Sequence, residues 1–233
     1  MKEFILGALS SEYPPAYNAI QEFLNRETAR FPKKLNAEQA FDYLCLADSD
    51  VRFDWFQELV EEKRFASNKA FKDAFAFAYT SGYVHDWKFF FERCYWNIIF
   101  FFKPCLDKHG RKEFNKLPDD EKITIYRGTG KDELDSDACW WGPSWSIDRG
   151  VAEFFAFRHC EDDRVVIKTE VSKRDIKGFF GDRNEHEVLY VADVRPEVVT
   201  EVPTGEFFRY YNETPYPNSD WVKTIRAHYN VSA

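Results

Sequence analysis

The spacing of the apolar residues changes once along this 233-residue chain, and that switch limits the fold more than any other feature. Up to residue 103 the spacing is helical. Residues 16–31 carry Ala19, Ile20, Phe23 and Leu24 before Pro32 stops the run. Asn36 is placed to cap a helix with Ala40, Phe41, Leu44 and Cys45 on one face. Residues 50–65 repeat the pattern with Phe53, Phe56, Leu59 and Val60, and residues 68–79 with Ala70, Phe71, Ala74, Phe75 and Ala78. The longest helix is expected over 86–102, apolar nearly all round and closed by Pro104.

From residue 122 the period is that of a strand. Residues 122–127 alternate and stop at Gly128, and further strands are expected over 144–147, 164–171, 176–180, from His186 onward, 198–202 and 207–211. A helix follows residue 147, with Ser146 or Asp148 as its cap and Ala152, Phe155 and Ala156 on its buried face. Residues 104–121 are polar and turn-rich, which suits a linker. Their cations Lys108, Arg111, Lys112 and Lys116, with Lys103 before them, would equally suit a contact to nucleic acid. The expectation is an α+β chain: a helical region over 1–103, a polar linker over 104–121, and a mixed β-sheet domain over 122–233 with one conspicuous helix.

At 44% hydrophobic and 31% charged, the chain is an ordinary globular one, long enough for one good core or two small ones. Aromatic residues reach 18%, 24 of them Phe, which points to a densely packed core with room for a stacking surface. A formal charge of −8 argues against nonspecific coating of nucleic acid but leaves a local basic groove open. Cys45, Cys94, Cys105, Cys139 and Cys160 are irregularly spaced without a C-x-x-C, so reduced thiols in a cytoplasmic chain are expected, with no metal. The first ten residues hold too short an apolar run for a signal peptide. Residues 94–102 are about half the length of a membrane span, so no membrane partner is expected.

Glu185 and Glu187 open the run Val188-Leu189-Tyr190. Residues two apart in a strand share a face at roughly 7 Å. Both carboxylates are therefore expected to point into one space, repelling by about 2 kcal/mol at an effective dielectric near 20. Such a pair either faces water at a strand end or is held over a site that wants negative charge.

Two other motifs precede it: Tyr126-Arg127-Gly128 at a strand end, and Gly142-Pro143-Ser144-Trp145-Ser146 before the helix containing Ala152-Glu153-Phe154-Phe155-Ala156. In this order the three resemble the Y-R-G, S-W-[ST] and E-x-E pattern of the arginine-serine-glutamate class of mono-ADP-ribosyltransferases, in its compact bacterial and phage members. The resemblance covers about residues 122–200. It implies an ADP-ribosyltransferase fold over 122–233 with NAD as co-substrate and no metal. Breaking the glycosidic bond of NAD passes through an oxocarbenium-like state, as in sugar hydrolysis.

By resemblance, Glu187 stabilises that charge and holds the ribose 2′-hydroxyl. Arg127 grips phosphate or ribose oxygens through paired hydrogen bonds. Ser144 orients the ribose and steadies the glutamate, while Ser146 is free to cap the helix. Glu185 polarises or deprotonates the acceptor, an arginine guanidinium in the family's E-x-E form. Gly128 lets backbone approach the ligand. Phe154 and Phe155 invite nicotinamide stacking, although helical spacing puts Phe155 in the core. Residues 176–184 correspond to the acceptor-recognition turn, where Phe179 and Phe180 either stack on the target or are buried in the strand. His186 has no catalytic role in this reading.

The short step from Arg127 to Ser144 and the bulk of Trp145 depart from better-known toxins. In related toxins a helical segment walls the NAD cleft, a role open to the first half here. The partners implied are NAD, a protein arginine or, second, an RNA or DNA base as acceptor, and an antitoxin. NAD glycohydrolysis, or an inactive fold that serves as a binding module, are the alternatives.

Overall fold

The structure, a computed structural model, describes residues 14–82, 104–135, 142–181, 184–192, 195–214 and 219–232. The chain divides into two units, residues 1–94 and 95–233. The helix expected over 86–102 lies outside the described residues.

In the first unit the described elements are α1 (Pro14–Thr28), α2 (Ala37–Cys45), α3 (Ser49–Glu61) and α4 (Asn68–Ser81). Each of the last three starts at a side chain that satisfies an orphan amide. Asn36 and Gln39 form a reciprocal capping box on α2, Asp48 caps α3 and Ser67 caps α4. α3 ends before Phe65, since Lys63 adopts a left-handed φ of 53° and Leu35 bridges to Phe65. The Phe content goes into the core, where Phe56 meets Phe53, Phe65, Phe71 and Phe75 at centroid distances of 5.6–5.7 Å. Ala70, Ala74 and Ala78 are buried along one stripe of α4. Phe41, expected on the inner face of α2, is 46% exposed, and Cys45 is exposed too.

The second unit is built on a seven-stranded sheet in the order β1-β5-β6-β3-β2-β4-β7. The strands are β1 (Cys105–Leu106), β2 (Lys122–Gly130), β3 (Ser144–Ser146), β4 (Arg164–Ser172), β5 (Gly178–Phe180), β6 (Glu187–Leu189) and β7 (Glu197–Thr200). β1 and β5 pair in parallel and every other pair is antiparallel, so the sheet is mixed as expected. β2 and β4 pair along their whole lengths, from Lys122↔Ser172 to Gly130↔Arg164, and β2 runs past Gly128.

Three expectations about this half are corrected. Residues 104–121 are no linker: they supply β1 and helix α5 (Lys108–Lys116). Asp107 accepts hydrogen bonds from Gly110 N at the start of α5 and from Gly181 N beyond β5, the latter at 2.8 Å, which ties the segment to the sheet. Residues 207–211 are no strand but lie in α8 (Gly205–Glu213), because Phe207, Tyr210 and Tyr211 are buried at helical spacing while Arg209 points outward. The domain also holds α6 (Lys131–Asp135), α7 (Arg149–Phe157) and α9 (Ser219–His228), not one helix alone.

Both faces of the sheet are covered. Ile123, Ile125, Trp145, Val165, Ile167, Phe179 and Val188 pack on one side. Val166 joins Ala152, Ala156 and Phe157 of α7, Phe207 and Tyr211 of α8 and Ile225 of α9 on the other. Glu153, fully buried, couples α7 to α8. Its carboxylate accepts from Arg149 Nε at 2.8 Å, Thr204 N at 2.8 Å, Thr204 Oγ1 at 2.8 Å and Phe207 N at 3.2 Å. Negative charge at the first turn of α8 is where the helix dipole favours it.

Candidate active site

Pleating decides which residues of β3 and β6 can meet. Trp145 and Val188 pack into one core, so Ser144, Ser146 and Glu187 face the opposite side, towards α7. The register pairs Ser146 with Glu187 and Ser144 with Leu189, which leaves Ser144 diagonal to Glu187. Ser144 Oγ donates to Glu187 Oε1 at 2.5 Å, within the range for hydroxyl–carboxylate bonds. Glu187 is 6% exposed.

Arg127 reaches the same place from β2. Its Nη1 donates to Ser144 O at 3.0 Å, and its Nη2 lies 3.8 Å from Glu133 Oε2 of α6. Thr129 Oγ1, two residues along β2, hydrogen-bonds to that same Glu133 oxygen. A Cβ on Gly142 would come within 2.7 Å of Arg127 Nη1 and nearer still to the rest of the guanidinium, so only glycine lets the plane lie there. Ser144, Glu187 and Arg127 line one cleft of about 250 Å³ together with Tyr126, Gly128, Ser146, Val151, Ala152, Phe155 and Glu185.

Glu185 arrives by a route the strand period did not foresee. β6 begins at Glu187, and the preceding Asn184 and His186 take left-handed φ values of 59° and 46°. Glu185 is outside the strand, yet it joins Glu187 in the cleft lining. Ser146 fixes it there: Ser146 Oγ donates to Glu185 O at 2.7 Å and accepts from Asp148 N at 3.0 Å. The cap of α7 is Asp148, which accepts from Gly150 N at 2.7 Å, so Ser146 is free to hold the turn. His186 lies outside the cleft lining.

The aromatic expectations are largely reversed. Phe154 packs against Phe207, Tyr210 and Trp221 at centroid distances of 5.5–6.3 Å, away from the cleft. Phe155 is the ring at the cleft wall, 36% exposed. The guanidinium of Arg158 lies over it at 4.6 Å and over Phe154 at 5.5 Å, both cation–π distances. The helical spacing of 152, 155 and 156 could not separate a core face from a cleft face, because α7 has the sheet on one side and α8 on the other. Phe179 and Phe180 are 0% and 4% exposed in the interior strand β5, so neither can stack on an incoming molecule.

Gly128 also serves a different end. A Cβ there would fall 2.6 Å from Ala156 N and 2.9 Å from Ala156 Cβ, so the glycine lets α7 lie close against β2. Glu133, against Arg127, and Arg158, over Phe155, are neighbours of the site that the motifs did not include. Arg158 was within reach of sequence reasoning, one helical turn beyond Phe155.

The cleft lining therefore brings together Glu185, Glu187, Ser144, Arg127 and one aromatic ring, Phe155, beside Tyr126 and Trp145. The volume of the cleft is just under the roughly 300–1,000 Å³ of pockets that enclose a drug-sized ligand. That suits part of a larger molecule, with the remainder lying across the rim. The carboxylates favour a cationic or cation-developing group, and the guanidinium favours an anionic one. Among the described residues no group of His, Cys, Asp and Glu could hold a metal ion, and no described helix is long and apolar enough to cross a membrane. No family model, curated protein or solved structure matches the chain.

Proposed function

We propose that the chain is an NAD-dependent ADP-ribosyltransferase that moves ADP-ribose from NAD to a macromolecular nucleophile. What supports the reading is the single hydrogen-bonded line Arg127–Ser144–Glu187, drawn from three strands into one cleft. NAD has the complementary layout: a cationic nicotinamide and its ribose on one side, a doubly anionic pyrophosphate on the other.

In this reading the nicotinamide–ribose part enters between Phe155 and Glu187. The C1′–N bond breaks with its electron pair passing to the nicotinamide nitrogen, which becomes neutral. Glu187 stabilises the positive charge that develops on the ribose and accepts from its 2′-hydroxyl. Ser144 keeps that carboxylate in one rotamer. Arg127, and Arg158 beside Phe155, take the phosphates. The acceptor then attacks C1′ from the open face and gives its proton to Glu185.

Adenylate-labelled NAD, incubated with the protein and a cell lysate, tests this. Label is expected on a macromolecule, and Glu187→Gln is expected to lower transfer and NAD hydrolysis alike by about 10²–10³-fold. Glu185→Ala is expected to spare hydrolysis and stop transfer. Release of free ADP-ribose with no labelled macromolecule would make the protein a hydrolase, and no NAD consumption at all would end the reading.

A further inference from the structure

Arg127 and Thr129 stand two apart on β2, so both side chains leave the same face of the strand. Glu133 of α6 answers both of them with one oxygen. Thr129 Oγ1 donates to Glu133 Oε2, and Arg127 Nη2 lies 3.8 Å from that same atom. Thr129 is 1% exposed, so its hydroxyl has this carboxylate, and not water, as its partner. Neither Thr129 nor Glu133 lines the cleft, so whatever they do to a ligand they do through Arg127.

Glu133 stops short of Arg127. A guanidinium and a carboxylate at liberty to meet close to about 2.7–2.9 Å. At 3.8 Å the two attract as an ion pair without a hydrogen bond. The backbone of α6 is held in place by other groups. Lys131 N donates to Asp163 O at 2.8 Å, Lys131 Nζ lies 2.7 Å from Glu201 Oε2, and Leu134 packs on the core of the sheet. The carboxylate can therefore move only about its own side-chain bonds, and Thr129 holds it turned towards β2. On the other side the guanidinium is fixed by its bond from Nη1 to Ser144 O at 3.0 Å and by the close approach of Gly142.

We propose that Glu133 and Thr129 are positioning residues that set how tightly Arg127 grips a phosphate. Glu133 is the counter-anion that keeps the guanidinium in the cleft. Thr129 holds that carboxylate just beyond hydrogen-bonding distance, so an entering pyrophosphate competes with an ion pair and not with a closed salt bridge. The inference rests on the transferase reading for the identity of the anion, and the charge arrangement stands without it. Such restraint has a chemical use. ADP-ribose keeps both phosphates after the nicotinamide has left, so a grip on the pyrophosphate holds product as firmly as substrate and does not speed bond breaking. A carboxylate beside that grip lowers both affinities and hastens release.

The test uses the full chain carrying Glu187→Gln, titrated in a calorimeter with inorganic pyrophosphate and separately with NAD. Thr129→Val lets the carboxylate close on Arg127 and is expected to weaken both ligands about tenfold, the effect of one charge-assisted hydrogen bond. Thr129→Ser keeps the hydroxyl and should bind within about twofold of the parent. Glu133→Gln removes the competing charge and should bind both ligands about 2- to 5-fold more tightly. The double variant Thr129→Val, Glu133→Gln should match Glu133→Gln, because no charge is left to close on the arginine. A purely structural role for Thr129 would instead leave the double variant as weak as Thr129→Val, and that result would overturn the proposal. So would unchanged or weaker binding in Glu133→Gln, a measurement that needs no change at the buried threonine, or a parent that binds no pyrophosphate. If pyrophosphate follows the expected pattern while the chain with its native Glu187 consumes no NAD, the positioning pair stands and the transferase reading falls. NAD consumption with equal affinities across all the variants would overturn the pair and leave the transferase reading intact.

Discussion

Ser144 and Glu187 are 43 residues apart in the chain, yet Ser144 Oγ donates to Glu187 Oε1 at 2.5 Å inside a buried corner of the cleft. Neither strand could hold the carboxylate alone, since β3 and β6 are three residues long each. Their antiparallel pairing supplies the geometry and the hydroxyl supplies the rotamer. Ser144→Ala removes the bond without opening a cavity larger than one oxygen. Its kcat for NAD consumption is expected to fall roughly 10–100-fold, the factor that a 1.5–3 kcal/mol hydrogen bond to a charged group represents. KM should change little, and steady-state kinetics over a range of NAD concentrations separates the two.

Adjacent phenylalanines on α7 should answer differently to the same change. Phe154 sits among Phe207, Tyr210 and Trp221, so Phe154→Ala is expected to cost about 3 kcal/mol of stability in chemical denaturation. Phe155 faces the cleft, so Phe155→Ala should leave the denaturation midpoint nearly unmoved. Its KM for NAD should rise about 2- to 10-fold, as the loss of one aromatic contact predicts.

Two glycines make a second contrasting pair. A Cβ on Gly128 meets backbone and Cβ atoms of Ala152 and Ala156, which cannot move without lifting α7 from β2. Gly128→Ala is expected to destabilise by about 1–3 kcal/mol, the usual penalty for overpacking. A Cβ on Gly142 meets the far end of the Arg127 side chain, which can swing away. Gly142→Ala should therefore fold almost normally and lose NAD affinity, which calorimetric titration of the Glu187→Gln background would measure without turnover.

Glu153 is the buried carboxylate that a reader of motifs would most easily mistake for a catalytic one. All of its contacts serve the joint between α7 and α8, and it is absent from the cleft lining. Glu153→Ala strands Arg149 and two amides of the α8 start, so a loss of about 3–5 kcal/mol is expected. Glu153→Gln keeps one acceptor oxygen and should fall between the two. If kcat per folded molecule dropped in the Gln variant while stability did not, the structural assignment would be wrong.

The order of Arg127, Ser144 and Glu187 along the chain, the helical character of residues 14–82 and the strands β2 to β7 were all written in residue type and period. Each depends on neighbours within a few positions: alternation for strands, capping side chains such as Asn36 for helices. What depended on distant partners was not. Phe207, Phe208, Tyr210 and Tyr211 have the composition of a strand, and it is the buried Glu153 of another helix that makes Thr204 a helix start. Residues 104–121 have the composition of a linker, and it is the pairing of Cys105 with Gly178 and the bond from Gly181 N to Asp107 that make them part of the sheet.

The same division runs through the cleft. The sequence pointed to Glu185, Glu187, Ser144 and Arg127 through short local patterns, and all four lie in one cleft lining. Only the packed sheet decided that Phe155 rather than Phe154 faces the cleft, that Phe179 and Phe180 are sealed inside, and that Glu185 enters on a left-handed turn fastened by Ser146. A side chain's direction is set by whatever covers its other sides, and those covering groups lie dozens of residues away.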